Sequence, residues 1–88
     1  MNYRVSVSHE VEELLDRVDR PTELRIRTRL KQLAEDPFDP RLSSPLTERF
    51  GVRKSRVGGW RVLFTVDREA KVLYIITVDT RGQVYKHS

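Results

Sequence analysis

The chain has 88 residues, of which 38% are hydrophobic and 34% charged, so its length suits one small hydrophobic core and no more. It has no cysteine, which excludes disulfides and thiolate metal sites, and no apolar run approaches the roughly 20 residues of a membrane span. The N-terminus also lacks the apolar stretch of a signal peptide. We therefore expect a single cytoplasmic domain over residues 1–88.

The net charge of +4 is unevenly distributed along the chain. Residues 1–48 carry 8 basic and 10 acidic side chains, whereas residues 49–88 carry 9 basic and 3 acidic ones. This excess of positive charge predicts an anionic partner that contacts the second half of the chain. Composition leaves open whether the partner is a nucleic acid, an acidic protein or a membrane surface.

The first half of the chain predicts a strand followed by two helices. Residues 2–8 alternate between polar and apolar side chains, which indicates a half-buried strand. Ser8 is placed to cap a first helix, whose apolar residues recur at the spacing of one helix face. Pro21 suits the first turn of a second helix, and Asp36-Pro37 ends that helix. Because the connection is very short, we expect an antiparallel helical hairpin.

The second half predicts a loop and then strands. Residues 37–48 contain three prolines, which is typical of a loop, and residues 50–57 and 60–66 alternate on either side of a Gly58-Gly59 turn signal. Residues 71–79 are apolar on both faces and predict a central strand, and residues 84–86 predict a short last strand.

The predicted fold is therefore α+β, in the order β-α-α-β-β-β with or without a last strand. The helical hairpin is expected to pack on one face of a twisted, mostly antiparallel sheet. Strict alternation places Phe50 on the face of Lys54 and Arg56, and it places Val78 on the face of Tyr74. No part of the chain is predicted to cover the face opposite the helices.

The sequence lacks the residues that most types of catalytic centre need. The sequence has no Gly-rich phosphate loop, and His9 and His87 are far apart and lack partners at metal-ligand spacing. We therefore expect neither a metal site nor a cofactor.

What remains is a set of basic residues on the predicted strands. Lys54, Arg56 and Arg61 flank the Gly58-Gly59 turn and are expected to gather on the uncovered face without acidic neighbours. Such a cluster repels itself unless phosphate neutralises it. By alternation Arg53 lies on the other face, where a strand-edge cation keeps a sheet soluble.

Three segments, in the same order along the chain, resemble the RelE/ParE superfamily of bacterial and archaeal toxins. They are residues 33–37 (LAEDP), 51–66 (GVRKSRVGGWRVLFTV) and 78–86 (VDTRGQVYK). The arginine that follows Trp60 and the Arg-x-x-x-Tyr spacing at the end are more similar to the RelE branch. The resemblance covers essentially the whole chain and implies a RelE-like fold.

The resemblance implies a type II toxin that cleaves mRNA in the ribosomal A site without a metal ion, through attack of the ribose 2′-OH on the adjacent phosphate. In that reaction two arginines hold the phosphate, a lysine stabilises the charged intermediate, and a tyrosine stacks on a base or acts as the general base. The implied catalytic residues are Lys54, Arg61, Arg81 and Tyr85, and the implied RNA-binding residues are Arg53, Arg56 and Lys86. Some family members carry a lysine where this chain has Val52, so the resemblance leaves the general acid and base open.

The implied partners are a cognate antitoxin, the ribosome and mRNA, with toxin–antitoxin assemblies of higher order as a further option and no membrane partner. Two alternatives stay open from the residues. One is a ParE-like inhibitor of DNA gyrase that has no catalytic activity, and the other is an inactive RNA-binding relative.

Overall fold

The structure, a computed structural model, describes residues 2–80. Its elements are β1 (Arg4–Val7), α1 (His9–Arg17), α2 (Arg20–Glu35), β2 (Ser44–Pro45), β3 (Arg53–Val57), β4 (Trp60–Asp67) and β5 (Val72–Asp79). The strands form one sheet in the order β1-β5-β4-β3-β2, in which only the β1–β5 pair is parallel. The α+β fold with a mostly antiparallel sheet is thus confirmed, whereas the strand predicted over residues 84–86 lies outside the described residues.

Capping side chains set where the two helices begin. The Ser8 hydroxyl accepts a hydrogen bond from the Val11 amide at 3.3 Å, so the predicted cap of α1 is confirmed. Asp19 caps α2 by accepting from the Thr22 amide at 3.2 Å and from the Thr22 hydroxyl at 2.7 Å. Pro21 lies in the first turn of α2, where its missing N–H costs nothing.

The main hydrophobic core lies between the helices and one face of the sheet. Phe64 of β4 is fully buried there, beside Leu15 of α1 and Leu33 of α2. Arg27 of α2 also binds Glu12 of α1 at 3.3 Å, which ties the helices together at the surface of the hairpin. The core thus fixes one face of the sheet under the helices and leaves its other face for a site.

The segment between α2 and β3 differs from the prediction in two ways. The predicted loop contains the short edge strand β2, in which Pro45 is tolerated because an edge residue need not donate a ladder hydrogen bond. The prediction for Phe50 was wrong: β3 begins only at Arg53, and Phe50 is fully exposed before it. The reason is a turn at Gly51, whose φ is +83°. The turn lets the Leu46 amide donate a hydrogen bond to the Val52 carbonyl at 2.8 Å.

An irregularity in the β4–β5 pairing corrects the predicted faces of β5. Leu63 pairs with Thr77 but Phe64 pairs with Ile75, so Ile76 is the extra residue of a β-bulge. Beyond the bulge the alternation is shifted by one residue. Val78 therefore joins the main core, and Asp79 turns to the open face of the sheet.

The face opposite the helices is not bare, which also differs from the prediction. Leu46, Val52 and Leu63 form a second, small apolar cluster, and Ile76 packs against it. Leu46 comes from the loop before β3, so the chain itself covers the middle of this face.

Candidate functional site

The β3–β4 hairpin positions the candidate cations. Val57 pairs with Trp60, so Gly58 and Gly59 form the predicted two-residue turn. Gly58 has a φ of +61° and Gly59 does not have a positive φ, which fits a type II′ turn. This register places Arg56 directly opposite Arg61.

The structure brings Lys54, Arg56 and Arg61 together on the face opposite the helices. These three residues line a cleft of about 180 Å³, the cationic cleft, whose other residues are Thr47, Glu48, Gly59 and Trp60. Directly opposed side chains in an antiparallel pair have Cβ atoms about 5 Å apart, so Arg56 and Arg61 repel each other. Arg29 of α2 donates to the Arg56 carbonyl at 2.7 Å, which ties the backbone of β3 to the helix at this position.

Arg61 has an acidic partner that the sequence analysis missed. Its Nε and Nη2 atoms donate to Oδ1 and Oδ2 of Asp79, each at 3.2 Å. Asp79 lies opposite Arg61 in the β4–β5 register, on the side away from Arg56. Strict alternation hides this pair, because only the bulge at Ile76 brings Asp79 to the face of Arg61.

Glu48 is a second acidic group that the prediction of an all-cationic face omitted. It lines the cationic cleft from the loop before β3, and its carboxylate accepts from the Thr47 hydroxyl at 3.3 Å. The cleft is therefore a mixed site with an excess of positive charge, rather than a cluster of unpaired cations. No sequence pattern links Glu48 to the strands, since the loop brings it there.

The structure places Arg53 in a different cleft. This aromatic cleft has a volume of about 810 Å³ and is lined by Phe38, Pro45, Phe50, Gly51, Val52, Arg53, Thr65, Val66, Asp67, Arg68, Glu69 and Tyr74. Arg53 donates to the Ser43 hydroxyl at 3.0 Å and lies 5.0 Å from the Phe38 ring, with Arg68 4.4 Å from the same ring. Burial lowers the pKa of Arg53, and the positive charge of Arg68 adds to that effect.

Trp60 serves the core and the cleft together. It is half-buried and packs against the main core, while it also lines the cationic cleft. The predicted site residues Arg81, Tyr85 and Lys86 lie outside the described residues, as does His87.

Residues 2–80 contain neither a cluster of metal-ligating side chains nor a helix that could span a membrane. Within that range no group of three or more histidine or carboxylate side chains is arranged to hold a metal. None of the helices in the same range is both long and apolar enough to cross a bilayer.

A family model matches nearly the whole sequence. It describes the ParE toxin of the type II toxin–antitoxin system parDE, and the match runs over residues 5–85. The chain belongs to this toxin family. Since RelE and ParE toxins form one superfamily, the resemblance found in the sequence is confirmed at that level.

Solved structures agree with the fold of the toxin. The RelBE2 complex of Mycobacterium tuberculosis has a chain similar to it, with 24% identity, a TM-score of 0.78, and 92% of this chain and 100% of that chain covered. The RelE–RelB complex of Pyrococcus horikoshii has a chain with 25% identity and a TM-score of 0.77, and the match covers 94% of this chain and 99% of that chain. The isolated RelE of Escherichia coli has 18% identity and a TM-score of 0.76, and the match covers 97% of this chain and 93% of that chain. A search of curated protein sequences gave no match. The family model thus carries the ParE name while these structures are RelE toxins, so the superfamily is shown and its branch is not.

Val52, at which the toxin departs from some relatives, has a structural role here. It is 5% exposed and lies in the apolar cluster with Leu46 and Leu63. A valine at this position joins the loop to the sheet, and Lys54, two residues later, is the first cation of the cleft.

Proposed function

We propose that this toxin is a ribosome-dependent endoribonuclease that cleaves mRNA in the A site and so stops translation in the cytoplasm. The observation that carries the proposal is the convergence of Lys54, Arg56 and Arg61 on one cleft. An arginine fork and a neighbouring ammonium group are well suited to a phosphate whose negative charge grows during reaction.

In the proposed reaction the ribose 2′-oxygen attacks the adjacent phosphorus and the bond from phosphorus to the 5′-oxygen breaks. The products are a 2′,3′-cyclic phosphate and a free 5′-OH. A base takes the proton of the 2′-OH, and an acid returns a proton to the leaving 5′-oxygen. Arg61 and Lys54 neutralise the extra charge on the phosphorane.

Three further residues complete the proposed site by resemblance. Arg81 shares the phosphate with Arg61, Tyr85 stacks on a base or takes the 2′-OH proton, and Lys86 joins Arg56 in contacts with the RNA backbone. Arg53, the remaining RNA-binding residue that the resemblance implies, is left out of these contacts because it lies in the aromatic cleft, against Ser43 and Phe38, and not in the cationic cleft.

The proposed partners are the ribosome, its mRNA and a cognate antitoxin. The similar structures from M. tuberculosis, P. horikoshii and Methanococcus jannaschii are toxin–antitoxin complexes. We infer that the antitoxin of this toxin covers the cationic cleft with an acidic segment, in a complex that can assemble further.

The second candidate function is inhibition of DNA gyrase without catalysis. The observation that favours it is the ParE family model, which matches residues 5–85. Under this hypothesis the basic half of the chain contacts a protein, and Arg61 contributes surface charge rather than chemistry.

One induction experiment separates the two functions. After expression of the toxin, new mRNA 5′ ends are mapped by primer extension, and plasmid supercoiling is measured in the same cells. We expect new 5′ ends within codons and unchanged supercoiling. Lost supercoiling without new 5′ ends would establish the gyrase hypothesis instead, and RNA binding without either effect would indicate an inactive relative.

Substitution of Arg61 tests the proposed chemistry. Arg61→Ala removes one cation from the transition state, so we expect the cleavage rate on programmed ribosomes to fall by about 10²–10³-fold. Circular dichroism and thermal melting show whether the variant keeps its fold. A folded Arg61→Ala variant that cleaves at the wild-type rate would contradict the assignment of this residue.

A further inference from the structure

The contact between Arg61 and Asp79 engages only one edge of the guanidinium group. A guanidinium has five N–H donors, and Asp79 accepts from Nε and from one donor of Nη2, each at 3.2 Å. Among residues 2–80 no other group bonds to Arg61, so both donors of Nη1 and the second donor of Nη2 remain there for another ligand. The two oxygens of a phosphate fit that pair of nitrogens as well as a carboxylate fits the other edge.

We propose that Asp79 is a positioning residue, which holds Arg61 by its Nε edge and leaves the Nη1–Nη2 edge for the scissile phosphate. This inference rests on the proposed function and deepens it, because it assigns a role to a residue to which the resemblance gives none. Asp79 does not touch the phosphate in this arrangement. It acts through Arg61.

The charges around Arg61 explain why its side chain needs a positioning residue. Arg56 lies directly opposite on β3, and Lys54 and Glu48 line the same cleft. Repulsion from the two cations drives a free guanidinium away from the cleft and towards solvent. Asp79 lies opposite on the other neighbouring strand, so its attraction opposes that repulsion along the same line across the sheet.

The burial of the pair makes this restraint effective. The side chains of Arg61 and Asp79 are only 17% and 30% exposed. Ion pairs at such positions are screened less by salt than exposed pairs, and two parallel hydrogen bonds fix orientation as well as distance. A phosphate that enters the cleft therefore meets an arginine whose rotamer is already set.

A positioning role has a signature that a purely structural role lacks. Asp79 is negative, so its removal strengthens the attraction of the cleft for RNA, by about two- to fivefold at low salt for one charge near a phosphate. Its removal also frees Arg61, and loss of orientation at a reacting group lowers a rate by about 10- to 100-fold. Binding and rate are thus expected to change in opposite directions.

The experiment compares Asp79→Ala and the isosteric Asp79→Asn with Glu69→Gln, which removes an exposed negative charge in the turn at the other end of β4. Affinity is measured on ribosomes programmed with mRNA whose A-site nucleotide is 2′-deoxy and so lacks the attacking hydroxyl. The rate is measured in single turnover on the cleavable mRNA. NMR order parameters of the arginine Nε–H groups report how firmly Arg61 is held, independently of activity.

We expect both Asp79 variants to bind the blocked complex at least as tightly as wild type, to cleave more slowly, and to show a mobile Arg61 Nε–H group. Glu69→Gln should keep the wild-type rate and an ordered Arg61. Equal losses of affinity and rate with a lowered melting temperature would overturn the proposal in favour of a structural role. An unchanged rate, or an Arg61 that stays ordered in both variants, would overturn it as well.

If the wild-type toxin does not cleave mRNA, the proposed function is wrong, whatever the variants show. The NMR comparison would still decide whether Asp79 holds Arg61. The two failures are therefore distinguishable.

Discussion

The cationic cleft and the aromatic cleft both contain arginines, but the protein uses those arginines differently. In the cationic cleft the carboxylate of Asp79 holds Arg61 by the Nε–Nη2 edge of its guanidinium and does not bond to the Nη1–Nη2 edge. In the aromatic cleft Arg53 is held by neutral partners, since it donates to Ser43 and lies over the ring of Phe38. Both arginines bond through Nε and Nη2, so the difference lies in the charges around them. The cationic cleft is lined by three cations and one carboxylate, whereas the aromatic cleft is lined by two cations and two carboxylates. The comparison teaches that positive charge in a sequence marks a site only where the fold gathers it in excess.

The two clefts share no lining residue, but both lie next to the small apolar cluster in the sheet register or in their lining. Val52 of that cluster also lines the aromatic cleft, and Leu63 pairs in register with Lys54 of the cationic cleft. The cluster therefore borders the aromatic cleft directly and neighbours the cationic cleft through the β3–β4 pairing.

The largest expected effect follows from truncating a side chain of this cluster. Leu63→Ala removes a side chain that is 5% exposed, so we expect the free energy of unfolding to fall by about 2–4 kcal/mol. A small domain has only about 5–15 kcal/mol in total, so urea or thermal melting will show the change clearly. Phe50→Ala is the matched control, because Phe50 is fully exposed and its removal should change stability by less than about 0.5 kcal/mol. Equal effects of the two substitutions would show that the buried cluster contributes no more to stability than an exposed side chain.

A smaller effect is expected when the arginine of the aromatic cleft is removed. Arg53→Ala deletes its bonds to Ser43 and its contact with Phe38, so we expect a loss of about 1–2 kcal/mol in the free energy of unfolding. Cleavage of mRNA should stay near the wild-type rate, the reverse of what is expected for Arg61→Ala. Arg53→Lys keeps the charge but loses the planar fork, and it should recover little of the stability. If a stable Arg53→Ala variant lost cleavage activity, Arg53 would have a role in the reaction and the two clefts would not differ in function.

Sequence patterns were sufficient where the structure is local. Alternation along two strands and a two-residue turn are enough to bring Lys54, Arg56 and Arg61 to one face, because a short hairpin leaves a single register. The cap at Ser8 and the apolar faces of the helices are local for the same reason.

The missed features depend on contacts between distant parts of the chain. Asp79 reaches Arg61 only through the bulge at Ile76, and nothing in the apolar residues 71–79 marks which residue bulges. Leu46 and Glu48 reach the open face because the loop turns back at Gly51. A pattern that predicts a loop does not predict where the loop lies, so it could not reveal the covered face or the acidic residues of the site.

The finest test of the comparison between the clefts uses salt. A lysine that contacts an RNA phosphate displaces a counterion, and for single strands each such contact contributes about −0.7 to the slope of log K against log salt concentration. Lys54→Ala should therefore make that slope shallower by about 0.7, measured with an uncleavable single-stranded RNA between about 50 and about 200 mM salt. Arg68→Ala is the matched control, since Arg68 carries the same charge but lies over Phe38 in the aromatic cleft, and its slope should equal that of wild type. If the two substitutions changed the slope equally, the basic half of the chain would attract RNA as a diffuse field, and the cationic cleft would have no special role in binding.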